Sequence, residues 1–147
     1  STHNGLNEVA KGTSLADMEG YYSAFSFAPP GQESLPLRDI YQRHRKEGEW
    51  GLITAQSAAQ AILALRVLEK AIAKVGRDNV TGEAMRQALL DNVYTEQELM
   101  GALPTLDFDT TAPFPIGQIR ATAEIVRGGR IVPLGTGWID VPALAKW

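Results

Sequence analysis

Few residues in this sequence could do covalent or acid–base chemistry, and their spacing does not assemble a catalytic set. The chain has no cysteine, which excludes a thiolate nucleophile, a disulfide and a thiolate metal site. Its two histidines, His3 and His44, lack the H-x-x-x-H spacing or the carboxylate partner that a zinc site needs. For His44, on the apolar side of a predicted helix, a structural role is the simpler interpretation. Because there is no G-x-S-x-G elbow either, we expect no catalytic residue, no metal site, no cofactor and no enzymatic activity.

Motifs for phosphate, calcium and nucleic acid are also missing. Gly135-Thr136-Gly137 is not followed by a predicted helix whose N-terminus could hold a phosphate. Asp107-Phe108-Asp109 lacks the glycine and the distal glutamate of an EF-hand, so a solvated turn is expected there. The formal charge of -3 and the shortness of the basic run Arg43–Lys46 argue against a nucleic-acid partner.

Aromatic side chains are the remaining candidates for function. Tyr21, Tyr22, Phe25 and Phe27 cluster in one segment, and Trp50 precedes the longest predicted helix. One interpretation is a patch of the core. The other is that some of these rings line a ligand cleft, where aromatic surfaces commonly form the apolar walls. Both interpretations stay open at this point.

Composition and length predict one globular domain that positions these residues. The 147 residues are 44% hydrophobic and 21% charged, which is typical of a globular chain. The longest apolar stretch is too short to span a bilayer, and no signal segment is visible. Because the chain begins Ser-Thr-His without an initiator Met, residue 1 is expected to be a cut.

Helical periodicity and capping residues predict a helix-rich middle of the chain. The predicted segments are a turn at Ser14–Met18, a helix from a Ser34 cap to about Glu47, a helix over Thr54–Val75, a helix opened by Thr81, and a short helix from the capping box Thr95–Glu98 to Gly101.

The helix over Thr54–Val75 carries two apolar stripes. The first contains Ala58, Ile62, Leu65, Leu68, Ile72 and Val75, and the second contains Ala55, Ala59, Leu63 and Val67. Two stripes indicate packing against two neighbours, so this helix is expected inside an assembly of layers.

Alternation of period two predicts a strand near each end of the chain. Tyr21–Ala28 reads as one strand, and the turn at Arg127–Arg130 joins two more into a hairpin. The first hairpin strand is expected to bury Ile119, Ala121, Ala123 and Ile125 and to expose Gln118, Arg120, Thr122 and Glu124. Tyr21–Ala28 has no partner nearby in sequence, and a lone strand cannot satisfy its backbone. It pairs either with the distant hairpin or with strands upstream of Ser1, and we favour the second alternative.

The order of these elements resembles a known family. Its features are the strand opened by Glu19-Gly20-Tyr21-Tyr22, a Pro-broken turn, a helix ending near Gly48, the Ala-rich helix Ser57–Ala71, the T-x-E-x-(L/M)-x-x-A-L pattern of Thr81–Leu89, the turn Gly128-Gly129-Arg130 and the ending Trp138–Pro142. Over roughly residues 8–142 the pattern resembles the C-terminal part of a type I periplasmic solute-binding protein of the branched-chain amino acid (Leu/Ile/Val-binding) ABC transporter family.

That resemblance implies an α/β fold, specifically part of the two-lobed type I periplasmic-binding-protein fold with its crossover strands. The chain would be a helix-rich fragment with a C-terminal β-hairpin. Residues 1–147 would form a single C-terminal fragment: 1–20 end the second lobe, 21–110 supply first-lobe helices, and 111–147 form the hairpin and crossover. The sheet neighbours of Tyr21–Ala28 would then lie in a missing N-terminal part of the same protein.

The resemblance also suggests ligand-binding residues. The family's acidic contact to a ligand ammonium maps to His3 and Asn4, which suit a neutral or anionic ligand. A cleft position near the start of the Ala-rich helix maps to Leu52 or Ile53, with Trp50 nearby. The Tyr-Asp pair common in the family is not found. We therefore hypothesise that the solute need not be an aliphatic amino acid, and that an aromatic or other small carboxylic acid fits.

The function implied by the resemblance is that of a periplasmic (extracytoplasmic) substrate-binding component of an ABC importer. It would bind a small amino acid or related carboxylic acid in an interlobe cleft and deliver it to the transporter permease. Expected partners are the small-molecule solute, the permease and the missing N-terminal part, with a homodimer of the fragment as a further alternative. A ligand-sensing regulatory domain of the same fold, coupled to a signalling partner, is the alternative function. The upstream sequence would separate the two.

Overall fold

A computed structural model of the chain describes residues 5–32, 35–45, 47–108 and 119–141. The fold is a mixture of helix and sheet. Its helices are α1 (Leu6–Val9), α2 (Pro36–His44), α3 (Leu52–Val75) and α4 (Gly82–Leu90), with 3₁₀ turns at Leu15–Met18 and Arg77–Asn79. Its strands are β1 (Tyr22–Phe25), β2 (Val93–Tyr94), β3 (Leu106–Asp107), β4 (Arg120–Arg127), β5 (Arg130–Pro133) and β6 (Ile139–Asp140). Within these ranges, no helix has both the length and the apolar character needed to cross a membrane.

The helices follow the sequence pattern, with differences at their ends. Helix α3 begins two residues before the predicted start and ends at Gly76, whose φ of 81° suits a residue without Cβ. The Thr81 hydroxyl accepts a hydrogen bond from the Ala84 N–H (3.1 Å), as a cap of α4 should. The predicted cap Ser34 lies outside the described residues. In the structure, Leu35 and Pro36 open α2.

The predicted short helix at residues 95–101 is wrong, although its capping box forms. The Thr95 N–H donates to the Glu98 carboxylate (2.8 Å), and the Glu98 N–H donates to the Thr95 hydroxyl (3.2 Å). The segment then continues only as turns. Met100 and Gly101 have φ of 55° and 72°, and a left-handed pair of residues cannot continue a right-handed helix.

The strand near the N-terminus pairs with the hairpin, so the favoured expectation that its partners lie upstream of Ser1 is wrong. Strand β1 runs antiparallel to β4, with Tyr22 opposite Ile125 and Phe25 opposite Thr122. Strand β4 also pairs with β5 and β6. The physical reason is that the hairpin leaves one edge of β4 with unpaired backbone groups, which β1 satisfies.

The two faces of β4 are exchanged relative to the prediction. Thr122, Glu124 and Val126 are buried, whereas Ile119 is 45% exposed. Pairing with β1 fixes this register, because Glu124 lies opposite Ser23, which is itself buried. A strand places alternate residues on opposite faces. This register therefore turns the residues that were expected to be buried, Ile119, Ala121, Ala123 and Ile125, away from the core.

The exposed side of the sheet, which we call the outer face, is largely apolar, with Arg127 and Arg130 beside the hairpin turn. Its apolar part consists of Tyr22, Ala24, Ala121, Ala123, Ile125, Val132 and Ile139, which the strand pairing places on one side. None of these residues is buried in the structure.

The inner side of the sheet packs towards the helices. Phe25 and Phe27 join Leu52, Ala55 and Ile62 of α3 in one buried cluster. The C-terminal half of α3 packs instead against α4, around Tyr94 and Leu99. The expectation that both stripes of α3 are covered is wrong for the first one: Leu65 is 47% exposed, because an open groove separates it from α2.

Candidate functional site

Of the residues proposed from the sequence to bind a ligand, the three that the structure describes do not meet at one cavity. His3 and Asn4 lie outside the described residues. Leu52 is 3% exposed and belongs to the core, whereas Ile53 is 59% exposed on the helix surface. Trp50 packs against Tyr41, and the centroids of the two rings lie 5.3 Å apart. A ligand role for these five residues stays a prediction.

Trp50 lines an apolar groove of about 370 Å³ between α2 and α3. The groove walls include Leu37, Ile40, Ala61 and Leu65. The Trp50 indole N–H is buried and finds no acceptor within the part of the chain that the structure describes. Because the walls offer no charged group, this groove has little means of selecting a polar solute.

A more polar pair of cavities lies where the inner side of the sheet meets the turn after β1. The larger, which we call the hairpin cavity, has a volume of about 560 Å³. Gln32, Glu96, Thr122 and Trp138 contribute side chains of different chemistry to its lining. Such a mixture of one aromatic wall and several polar groups is typical of small-molecule sites.

The smaller one, the Glu124 cavity, has a volume of about 430 Å³. Its lining includes Asn7, Leu15, Glu124 and Arg130. Three residues line both cavities: Gly31, Ile131 and Pro133. The two cavities are therefore neighbouring parts of one site, which we call the inner-face site.

Local sequence builds this site from the turn that follows β1. Pro29 and Gly31 lie in the turn, which begins a few residues after β1. The Gln32 N–H donates to the Pro29 carbonyl (3.1 Å) and closes the turn. The segment before it is held at both sides: the Ala28 N–H donates to the Ala102 carbonyl (2.9 Å), and the Thr122 hydroxyl donates to the Phe27 carbonyl (2.9 Å). These bonds fix the turn against β4.

Gly31 allows the turn to approach the carboxylate of Glu124. A Cβ at position 31 would lie 3.1 Å from the Glu124 Oε1 atom, which is closer than most such contacts. Glycine at this position therefore leaves room beside the carboxylate, and a larger residue would press on it.

The electrostatics of the site centre on Glu124. Glu124 is only 4% exposed, and burial raises the pKa of its carboxyl above the ordinary value. Among the described residues no ion pair to this carboxylate is found, and its oxygens are not among the enclosed polar atoms that lack a hydrogen-bond partner. A half-desolvated carboxylate is less stable as an anion than an exposed one, so the group is protonated more readily.

The arrangement is suited to binding a polar solute. In the described ranges, no group of three or more His, Asp or Glu residues could hold a metal ion. What the site offers is the carboxyl groups of Glu96 and Glu124, the amides of Asn7 and Gln32, and the Trp138 ring around open volume. Sequence reasoning missed Glu124 because it assigned the residue to the solvent face of β4, and only the pairing with β1 reveals the opposite.

Searches of known protein families, of characterised proteins and of solved structures find no match to this chain.

Proposed function

We propose that this chain is the C-terminal part of an extracytoplasmic solute-binding protein that serves an ABC importer. It binds a small amino acid or a related carboxylic acid, including aromatic ones, in a cleft between two lobes. The loaded protein then delivers the solute to the transporter permease in the periplasm. This is a binding function without catalysis, and the missing N-terminal part of the same protein completes the two lobes.

One observation carries the proposal, namely the path of the chain through the sheet. The chain leaves the sheet after β1, passes through α2, α3 and α4, and returns to pair β4 with β1. Such a path is expected when a chain crosses from one lobe to the other and comes back. The inner-face site lies beside the outgoing connection, at Pro29–Gln32, and beside the returning strand. In a two-lobed binding protein, this crossing region adjoins the cleft in which hinge closure traps the solute.

Thermal shift measurements with a panel of solutes, made on the full-length protein that includes the N-terminal part, test the proposal. The panel contains leucine, isoleucine, valine, phenylalanine, phenylacetate and benzoate. A ligand at about one hundred times its Kd is expected to raise Tm by about 5 °C or more. If no member changes Tm, the proposed function is wrong. If only leucine, isoleucine and valine raise Tm, the extension to aromatic acids is wrong.

A pair of tryptophan variants separates the two candidate cavities. Trp138→Ala removes the aromatic wall of the hairpin cavity, and Trp50→Ala removes that of the groove between α2 and α3. Each variant is compared with its own ligand-free Tm. Loss of the ligand-induced shift only in Trp138→Ala is expected. Loss only in Trp50→Ala would instead favour the site suggested by the family resemblance.

A further inference from the structure

The groove between α2 and α3 is an apolar surface that lies apart from the inner-face site. Its volume is about 370 Å³, and none of the described residues that line it is charged. Leu65, on its α3 wall, is 47% exposed. Apolar surface of this kind is unfavourable in water, and proteins typically keep it where it serves an interaction. The groove therefore suits an apolar occupant.

The shape of the groove favours a linear occupant. Its α3 wall runs from Ala58 to Leu65, which corresponds to about two helical turns or roughly 10 Å along the helix axis. Ala58 and Ala61 carry only a methyl group, so this wall is recessed opposite the longer side chains of Leu37 and Ile40 on α2. An unbranched alkyl chain is thin enough to lie along such a wall and long enough to cover it.

A cation lies beside the Tyr41 side chain, which forms part of the groove wall. The Cζ atom of Arg45 is 5.7 Å from the centroid of the Tyr41 ring. The Arg45 Nε–H donates to the Glu47 carbonyl (3.0 Å). Within the described ranges, the guanidinium forms no ion pair with any carboxylate. Its charge is therefore available to an anionic group of an occupant.

The loop between α2 and α3 holds Tyr41 in place. The ring packs against Trp50, and its hydroxyl donates to the Glu49 carbonyl (3.4 Å), which also accepts from the Thr54 hydroxyl (3.2 Å). Gly48 lets the loop pass close to the ring, since a Cβ there would lie 2.6 Å from the Tyr41 hydroxyl oxygen. The aromatic wall and the cation beside it are therefore formed before any ligand binds.

We propose that this groove binds a free, unbranched fatty acid, with its alkyl chain along Ala58, Ala61 and Leu65 and its carboxylate beside Arg45. The apolar walls remove the chain from water, and the guanidinium favours an anionic head group over a neutral or cationic one. This site differs from the inner-face site in its residues and in its ligand. The inference goes beyond the proposed solute binding, and the failure of either leaves the other standing.

Calorimetric titration of the intact protein at pH 7 tests the inference with two sets of probes, each kept below its micelle-forming concentration. Hexanoate, octanoate and decanoate differ in chain length, and each added methylene is expected to raise the affinity by about threefold to fourfold. Octanoate, 1-octanol and octylamine differ in head group. We expect 1-octanol to bind about threefold more weakly than octanoate, and octylamine more weakly still. If no fatty acid binds, or if 1-octanol binds as tightly as octanoate, the inference is wrong.

Two pairs of variants at exposed positions assign the chain and the head group. Ala61→Phe fills the groove and should lower the affinity for octanoate by about tenfold or more, whereas Ala64→Phe, outside the groove, should leave it within about twofold. Arg45→Gln should lower the affinity for octanoate by about threefold and leave that for 1-octanol unchanged. Arg77→Gln, with the same loss of charge beyond the far end of α3, should change neither. Equal effects within either pair would contradict the assignment. Circular dichroism establishes that each variant is folded.

Tryptophan fluorescence locates the bound chain. Decanoate is expected to change the emission of the unaltered protein, and this change should be lost in Trp50→Phe and kept in Trp138→Phe, because only Trp50 lines the groove. A change that is lost only in Trp138→Phe would place the fatty acid in the hairpin cavity, and the inference would be wrong.

Two other occupants would also overturn the inference. A dimer in sedimentation velocity that Ala61→Phe dissociates would show that a second copy of the chain covers the groove. Binding to vesicles of phosphatidylglycerol without binding of any soluble fatty acid would show that the occupant is a membrane surface.

Discussion

The helical region around α4, with the buried Tyr94 and Leu99, and the sheet region of this protein treat their polar groups in opposite ways. Between α3, α4 and the segment after them, long cationic side chains reach specific acceptors. Lys70 donates to the Val93 carbonyl (3.0 Å), and Lys74 donates to Asp91 (2.8 Å). The buried Tyr94 hydroxyl donates to the Ala88 carbonyl (2.8 Å). On the sheet, by contrast, Glu124 is buried and forms no ion pair among the described residues.

The same contrast holds for apolar surface. Tyr94 and Leu99 in the helical region are fully buried, whereas the outer face of the sheet leaves Tyr22 71% exposed. Exposed apolar surface and unpaired buried charge both reduce stability, so a protein usually keeps them where they serve binding. From this difference we infer that the helical region around α4 supplies stability, and we propose that the sheet region binds the ligand.

The largest expected effect concerns two aromatic residues on opposite faces of β1. Phe25→Ala removes a buried ring whose centroid lies 5.5 Å from that of Phe27. The variant should therefore lower the free energy of unfolding by about 3–5 kcal/mol. Tyr22→Ala, on the outer face, should change it by less than about 0.5 kcal/mol. Urea denaturation of both variants measures the difference. Equal losses would show that the outer face is covered within this chain.

Two carboxylates, one in each region, should respond with opposite signs when neutralised. At pH 7, Glu124→Gln should raise the free energy of unfolding by about 1–2 kcal/mol, because a buried charge without a partner is removed. Glu98→Gln should lower it by about 0.5 kcal/mol, because Glu98 accepts from Thr95 and pairs with Lys70 at 3.1 Å. The same denaturation series measures both. A loss of stability in Glu124→Gln would mean that this carboxylate has a favourable partner.

Tyr94→Phe isolates one hydrogen bond of the helical region. Loss of the bond to the Ala88 carbonyl should lower the free energy of unfolding by about 1 kcal/mol. Tyr21→Phe is the matched control, because Tyr21 is exposed and should show almost no change. Burial also raises the pKa of the Tyr94 phenol to about 12, so its absorbance should titrate above the ordinary tyrosine value of about 10. Titration of Tyr94 at the ordinary value would contradict its burial.

Glu98 and Glu124 should contribute to the pH dependence of stability with opposite signs. For Glu98, the backbone N–H of Thr95 lowers the pKa, so its stabilisation is present above the unfolded value near 4.3 and is lost as pH falls through the lower folded value. For Glu124, the pKa is raised by burial, so its destabilisation is present at neutral pH and disappears as pH falls through the raised value. Glu124→Gln should flatten the rise in Tm on mild acidification. An unchanged profile would argue against a raised pKa.

Much of the helical region could be predicted from the sequence because its signals are local. The periodicity of α3 and the Thr81 cap depend on neighbours within a few residues, and both are confirmed. The capping box of Thr95–Glu98 was also identified correctly. The helix expected after it was not, because the left-handed conformations of Met100 and Gly101 carried no clear signal in the sequence.

The sheet and the site could not be predicted because they depend on pairing between distant residues. The alternation along β4 was recognised, but both faces of an alternating strand look acceptable until the partner is known. Pairing with β1, about one hundred residues earlier, decides that Glu124 faces inward. The ligand residues suggested by resemblance are not part of this candidate site, since Leu52 and Ile53 belong to α3, and their ligand role stays a prediction.

The ionisation of Glu124 is the property on which the contrast between the two regions depends. A ¹³C NMR titration of the glutamate carboxyl carbons, assigned by Glu124→Gln and Glu98→Gln, measures it within one sample. The expected result is a pKa for Glu124 above the ordinary glutamate value and one for Glu98 below it. A Glu124 pKa at or below that of Glu98 would show that the chain already supplies a favourable partner for this carboxylate, as it does for Glu98, and would contradict the contrast.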